Sequence, residues 1–223
     1  LRTEQIDRIS PHCVVGQCTA EGLGDWFHKS STQASSNYGI DKNGRIGLYV
    51  EEKNRSWCTS SNANDQRAVT IECASDKAEP YAMHQVVYDR LIDLCEDICR
   101  RNGKKKLLWF GDKNKSLNYQ PKADEMLITV HRGFANKSCP GDWLYARLGD
   151  LAAKVTSRLG SGNVEVIPSG MQAGEFQGLT EEQVLAKVGP LFTADQKKSG
   201  ILASVSMAQF ILESGYGKSE LAL

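Results

Sequence analysis

The sequence has no apolar run approaching the ~18 residues that a membrane span needs, although 40% of its 223 residues are hydrophobic and 24% charged. A soluble globular chain without membrane insertion is the expectation. The opening Leu1-Arg2-Thr3-Glu4-Gln5-Ile6 lacks the charged-then-apolar layout of a secretory leader. An initiator Met is lacking as well, so a leader removed beforehand stays open. Synthesis in the cytoplasm, with release or export afterwards, fits best. Net charge is absent, with 27 basic residues against 27 acidic ones. Lys104-Lys105-Lys106 is the only basic run and reads as a solvated turn between a helix and a strand. No clustered basic face therefore points to nucleic acid. None of the seven cysteines forms a CxxC, and an odd number cannot all pair. A chain of this length needs no disulfides. Cys95 and Cys99, four apart in a helical stretch, are expected to pack as buried thiols.

What is present divides into three segments. Residues 1–159 mix strand-like and helix-like patterns; residues 160–179 are rich in Gly, which predicts a linker; residues 180–223 read as wholly helical. In the first segment Arg45–Val50, Ala68–Ala74, Lys106–Phe110 and Met126–Val130 are short apolar runs that predict strands of one sheet. Tyr81–Arg101 carries Val87, Leu91, Leu94, Cys95 and Ile98 at amphipathic spacing, and Asn102-Gly103 supplies the stop. A second helix is expected over Pro140–Leu159, with Pro at its first position and Leu144, Leu148, Leu151 and Val155 on one stripe. Asp41-Lys42-Asn43-Gly44 reads as a tight turn. The sum is an α/β domain, a mixed central β-sheet flanked by helices, plus a small all-helical C-terminal segment. That last segment opens with two candidate capping boxes, Thr180 to Gln183 and Thr193 to Gln196. A longer helix over Gly200–Glu213 follows, with Ile201, Val205, Ala208 and Leu212 on one face.

Only four histidines occur, so each can be weighed in its own setting. His131 ends an apolar run and Cys139 follows eight residues later, just before Pro140. A short loop at a strand end can fold an imidazole and a thiolate onto one metal ion. Two His and one Cys would leave a fourth tetrahedral position open, as catalytic zinc requires. Spacing alone equally allows a histidine satisfied by ordinary polar contacts.

A resemblance bears on that choice. Thr129-Val130-His131-Arg132-Gly133-Phe134-Ala135-Asn136-Lys137-Ser138-Cys139-Pro140-Gly141 resembles the metal motif of the N-acetylmuramoyl-L-alanine amidase type 2 family. That family includes phage endolysins and is related to the peptidoglycan recognition proteins. Ser36-Asn37-Tyr38-Gly39-Ile40-Asp41-Lys42-Asn43-Gly44-Arg45-Ile46 resembles its strand entry. Arg55-Ser56-Trp57-Cys58 is similar to its Ala-Trp-His element, and Val69-Thr70-Ile71-Glu72 to the strand bearing its acidic residue. The resemblance keeps the family's order over residues 1–159. It implies one catalytic Zn2+ on His12, His131 and Cys139, with Glu72 and Lys137 as the catalytic glutamate and lysine. It also implies peptidoglycan as substrate, contacted by Asn37, Tyr38, Trp57 and Arg132. The chain departs from the pattern at Asn37, where many relatives have His, and at Cys58, where they have the His of Trp-His. His28 and His84 match no motif and are expected as solvated helix positions.

In the tail, Ala208-Gln209-Phe210-Ile211-Leu212-Glu213-Ser214-Gly215-Tyr216-Gly217-Lys218-Ser219 resembles the start of a glucosaminidase domain of the flagellar-autolysin type. The resemblance makes Glu213 the general acid. Since the sequence runs only ten residues further, a truncated domain with a vestigial acid is the expectation. Two rival readings concern the first segment. One is a non-catalytic peptidoglycan-binding module, which would typically lack the cysteine ligand. The other is a Cys/His peptidase with Cys139 as nucleophile at a helix N-terminus.

Overall fold

The computed structural model describes residues 1–160, 176–199 and 203–216, apart from the side chains at 194, 195, 197–199, 213 and 214. The chain forms two compact units, Leu1–Ser161 and Gly162–Leu223.

The first unit is built on one six-stranded sheet: β1 (Arg8–Cys13), β2 (Tyr38–Ile40), β3 (Ile46–Leu48), β4 (Ala68–Cys73), β5 (Lys106–Leu108) and β6 (Glu125–Ile128), in the order β3-β2-β4-β1-β6-β5. Every neighbouring pair is parallel except β2 with β3. The helices of this unit are α1 (Ala20–His28), α2 (Asn62–Arg67), α3 (Gln85–Arg101), α4 (Lys113–Asn118), α5 (Asp142–Tyr145) and α6 (Leu148–Gly160). The mixed sheet with flanking helices agrees with the expected class.

Alternation along the strands divides the sheet into two unlike faces. Ile9, Cys13, Val69, Ile71 and Cys73 lie on one and are almost completely buried. Against this face α3 lays Val87, Leu91, Leu94, Cys95, Ile98 and Cys99, none accessible beyond 1%. Each buried aliphatic side chain there contributes roughly 1.5–3 kcal/mol. The other face carries Ser10, His12, Thr70 and Glu72. Around Ser10 the polar groups satisfy one another. Ser10 Oγ lies 2.6 Å from Thr129 Oγ1, Asn64 Nδ2 donates to Ser10 Oγ at 3.0 Å, and Thr129 Oγ1 donates to Asn64 Oδ1 at 3.0 Å. Gly39 shows how closely α1 covers this side. A Cβ there would stand 2.6 Å from Leu23 Cδ2 and 2.7 Å from the Tyr49 ring.

Several local expectations change. β1 and β2 form where no apolar run announced a strand. β1 tolerates Pro11 because Ile9 O accepts from Thr129 N on the β6 side, and residues two apart address the same neighbour. Pro11 thus faces β6 beyond the end of that pairing, at Ile9↔Ile128, where its missing N–H is not needed. α3 starts at Gln85 rather than Tyr81, since Tyr81 takes a left-handed φ of 54°. The helix expected over Pro140–Leu159 is two helices, α5 and α6. Pro140 lies outside both, because Gly141 at φ 81° cannot continue a helical turn and α5 begins only at Asp142. The turn at Asp41 is present, its carboxylate accepting from Asn43 N and Arg45 N at 2.8 and 2.9 Å. His28 and His84 are exposed, at the end of α1 and the N-cap of α3.

The second unit contains α7 (Glu181–Ser199) and α8 (Ala203–Ser214). Thr180 and Gln183 form the expected reciprocal cap, with N–H···O distances of 2.9 and 3.2 Å. Thr193 starts no helix. It lies inside α7, and its hydroxyl donates back to Gly189 O at 2.9 Å. Residues 161–175 of the predicted linker lie outside the described residues, as does Ile201. Phe176 and Leu179, also assigned to the linker, pack instead with Val184, Val188, Phe192 and Phe210 in this unit's core. On α8, Val205 is buried but Leu212 is 45% exposed, so the predicted stripe is not the buried one. The Glu213 side chain lies outside the described residues.

Candidate metal centre

Three strand ends and one loop assemble the centre. His12 is the penultimate residue of β1, and the parallel register places it beside Glu72 of β4. His131 opens a single 3-10 turn just past β6. From there the chain loops out and returns to Cys139, and Arg132 N donates to Cys139 O at 3.1 Å to close the loop. The Arg132 guanidinium holds the same loop from inside. It donates to Ser138 O, pairs with Asp142 at 2.9 Å and lies 4.7 Å over the Tyr145 ring. Gly141 ends the loop at a left-handed φ where a Cβ would meet Tyr81 Cβ at 2.8 Å and Pro80 O at 2.9 Å.

The structure brings His12, His131 and Cys139 together. One donor atom from each lies within 4.8 Å of the other two. Cys139 Sγ is 3.2 Å from His12 Nδ1, and the two imidazole centroids are 5.2 Å apart. Glu72 joins them, its Oε1 3.9 Å from His12 Nδ1. His12, Cys58 and Glu72 form a second, overlapping donor set. Burial dominates the electrostatics. It pushes His12 down to about 3, helped by nearby His131, and Glu72 up to about 8. His131 is lowered by burial and then by the charge of Lys137. Cys139 is raised well above the ordinary thiol range, first by a hydrogen bond with Cys13 and then by burial. In the metal-free protein the Cys139–His12 pair is therefore a neutral thiol beside a neutral imidazole. An activated cysteine nucleophile needs the opposite.

The donor set suits zinc. Ligands on neighbouring corners of a tetrahedral ion with Zn–S near 2.3 Å and Zn–N near 2.1 Å lie about 3.6 Å apart. Sγ and Nδ1 are close to that already. Glu72 Oε2 is buried without a hydrogen-bond partner among the described residues. A metal-bound species is a fitting complement for such an oxygen.

The remaining predicted residues are placed differently. Lys137 is exposed on the metal loop, and among the described residues no ion pair holds its ammonium group; its charge nevertheless reaches His131. Trp57 is 53% exposed, with the Arg55 guanidinium 5.3 Å over its ring. Asn37 and Tyr38 do not offer a surface to substrate, which corrects the expectation of contact. Asn37 is fully buried, accepting from Thr70 N at 3.1 Å and donating to Val50 O at 3.0 Å. Tyr38 is 1% exposed and donates to the buried Glu52 at 2.9 Å. A polar residue before a strand reads as surface in a sequence, and only the tertiary network shows otherwise. Arg132 is likewise committed to the metal loop rather than free for substrate.

Two contacts had no signal in the sequence. Cys58 Sγ donates to Glu72 Oε1 at 3.6 Å, and Ser60 Oγ lies 2.8 Å from His131 Nε2. A cavity of about 240 Å³ also opens beside the metal loop, lined by Trp109, Asp112, Leu117, Arg132, Phe134 and Tyr145 among others.

The family model for N-acetylmuramoyl-L-alanine amidase matches residues 2–142. No curated protein matches the chain. Among solved structures, PlyL is similar at 14% identity over 69% of this chain and 86% of that one, with a TM-score of 0.49. The N-acetylmuramoyl-L-alanine amidase LysC from Clostridium intestinale URNW is similar at 15% identity over 67% and 85%, with a TM-score of 0.48. The Staphylococcus aureus hydrolase AmiA, solved in complex with its ligand, is similar at 13% identity over 68% and 73%, with a TM-score of 0.46.

Proposed function

The chain belongs to the N-acetylmuramoyl-L-alanine amidase family, and from that premise we propose that it hydrolyses the amide between N-acetylmuramic acid and L-alanine in bacterial peptidoglycan, using one zinc ion held by His12, His131 and Cys139. Its place of action is the cell wall, as an endolysin or autolysin reaching the wall by release or export. The observation that carries the reading is the convergence of two imidazoles and a thiol within 4.8 Å, beside a buried carboxylate 3.9 Å from His12.

When bound, zinc supplies a Lewis acid for the scissile carbonyl and lowers the pKa of water from ~15.7 to ~7. The chain's own residues do the rest. His12 and His131 are both held below the ordinary imidazole range and so offer lone pairs at neutral pH. Glu72 takes the proton of the attacking water and returns it to the leaving nitrogen of L-alanine. In the metal-free protein burial pushes its carboxyl up to about 8, and the charge of a bound zinc would favour the carboxylate form that accepts the proton. The Cys58 thiol, donating to Oε1, fixes the orientation of that carboxyl. Lys137, carried by the loop that ends in Cys139, adds positive charge for the oxyanion that develops on the carbonyl oxygen. Exposed Trp57 and the cavity beside the metal loop leave room for the rest of the muropeptide. The helical unit is assigned no part in amide cleavage, and neither is Glu213, the acid that the glucosaminidase resemblance places there.

Element analysis of purified protein should find about one zinc per chain. A strong chelator should abolish release of L-alanine-linked peptides from muropeptides, and Cys139→Ser should lose most of the metal, because a thiolate is the far better zinc ligand. Zinc-free protein whose activity survives the chelator would sink this reading.

A further inference from the structure

We infer that Ser60 is a positioning residue for the metal centre: its hydroxyl oxygen accepts the Nε2 proton of His131 and so reserves Nδ1, with its lone pair, for the metal ion. The inference rests on the zinc reading above.

Two independent features of the structure lead to it. The first is the contact itself, 2.8 Å between Ser60 Oγ and His131 Nε2, joining residues 71 positions apart. A neutral imidazole carries a proton on one nitrogen and a lone pair on the other, and only the latter can ligate a metal. Ser60 is exposed, so its own hydroxyl proton can turn to water while the oxygen accepts. The second feature is the backbone. Ser60 has φ 60°, the left-handed region where glycine is at ease and a serine is strained. Such strain persists only where the surroundings over-determine it. Here they do. On one side, Cys58 N and Thr59 N donate to the Asp65 carboxylate at 3.2 Å each, and Thr59 Oγ1 does so at 2.6 Å. On the other, Ser61 caps α2, its Oγ accepting from Asn64 N at 3.3 Å. The loop is thus clamped on both flanks of the one residue whose hydroxyl meets His131. Glycine would relieve the backbone but would bring no hydroxyl. His12 offers a contrast, since its Nε2 is buried with no partner among the described residues. Ligating histidines elsewhere are oriented through their outer nitrogen in this manner, and loss of such a partner typically costs 10–100-fold in metal affinity.

Three variants of the whole chain separate the hydroxyl from the backbone. Ser60→Ala removes the acceptor and keeps a Cβ in the left-handed conformation. Ser60→Gly removes the acceptor and the strain together. Ser60→Asn tolerates that conformation and carries an acceptor oxygen. Zinc affinity, measured by competition with a chromophoric chelator, should fall about 10–100-fold in both the Ala and Gly variants and recover in part with Asn. Long-range proton–nitrogen correlation spectra of the metal-free protein should place the His131 proton on Nε2 in the wild type, and shift it toward Nδ1 in the Ala and Gly variants. Wild-type protein that binds zinc no more tightly than both variants overturns this inference alone, as does a wild-type His131 protonated on Nδ1. Wild-type protein that binds no zinc overturns the metal reading and this inference with it.

Discussion

His12 and Glu72 are register partners on neighbouring parallel strands, their Nδ1 and Oε1 3.9 Å apart, and in the metal-free protein burial disfavours the charged form of both. The spacing is that of an ion pair, yet the imidazole is pushed to about 3 and the carboxyl to about 8, so near neutrality the imidazole is neutral and the carboxyl mostly protonated. A zinc ion held there would resolve this, taking the imidazole lone pair directly and favouring the carboxylate by its charge. The sheet thus sets the proposed ligand and the proposed proton carrier side by side.

The division of labour between these two residues can be separated. Glu72→Gln should keep the fold and about one equivalent of zinc, because Glu72 is not among the proposed ligands. Turnover on muropeptides should fall by ~100-fold or more, the usual scale for a general base, with KM little changed. Near-normal turnover would make Glu72 structural and require another base.

Stability against pH follows from the same two shifts. The folded His12 titrates at about 3 against an ordinary 6.5, so its contribution is lost as pH falls below 6.5. The folded Glu72 titrates at about 8 against an ordinary 4.5, so the folded state binds more protons between those values and stability falls as pH rises through them. Between 4.5 and 6.5 the two slopes oppose each other. The pair alone therefore gives the metal-free protein a plateau there, with losses on both sides of at most about 1.4 kcal/mol per pH unit. Glu72→Gln should remove the alkaline loss up to pH 8 and leave the acid loss. Thermal melts of the two metal-free proteins at matched pH decide this; parallel curves above pH 6.5 would refute it.

Asn37 provides a test of structural against substrate-contacting roles. Its side chain satisfies Thr70 N and Val50 O, and it also accepts from Arg2 Nη2 at 3.1 Å. Asn37→Ala leaves those groups unpaired in a buried setting, which should lower unfolding stability by about 1–3 kcal/mol per orphaned group. KM for muropeptides should stay as it was. A raised KM with unchanged stability would restore Asn37 to the substrate surface.

The parts of this molecule that were legible in the sequence are those determined locally. His131 and Cys139 are joined by one short loop, and the strands bearing Glu72 and preceding His131 are apolar runs. The strand bearing His12 was hidden, because Arg8-Ile9-Ser10-Pro11-His12-Cys13 faces a polar network on one side and includes a proline. Only its place between β4 and β6 makes that sequence a strand. β2 has three residues, too few to show a period. The break between α5 and α6 was invisible because the apolar stripe continues across it: Leu144 and Leu148 are both fully buried. Ser60 gave no signal, since its role is a contact over 71 residues.

The helical unit allows a final separation. All the residues proposed to bind zinc or move protons lie within Leu1–Ser161, which forms a compact unit by itself. Deleting residues 180–223 should therefore leave the rate of amide cleavage nearly unchanged. Digestion of purified peptidoglycan by the full chain should release new amino groups from L-alanine without new reducing sugar ends. Glycoside hydrolysis ordinarily needs two carboxylates flanking the scissile bond, one as acid and one as nucleophile or base. Glu213 on α8 is the only acid that the glucosaminidase resemblance supplies, so no second carboxylate is assigned to oppose it. The amino groups should persist in a Glu213→Gln variant at the wild-type rate. New reducing ends that disappear in that variant would show the helical unit to be a working glycosidase, and Glu213 a catalytic acid rather than a vestige.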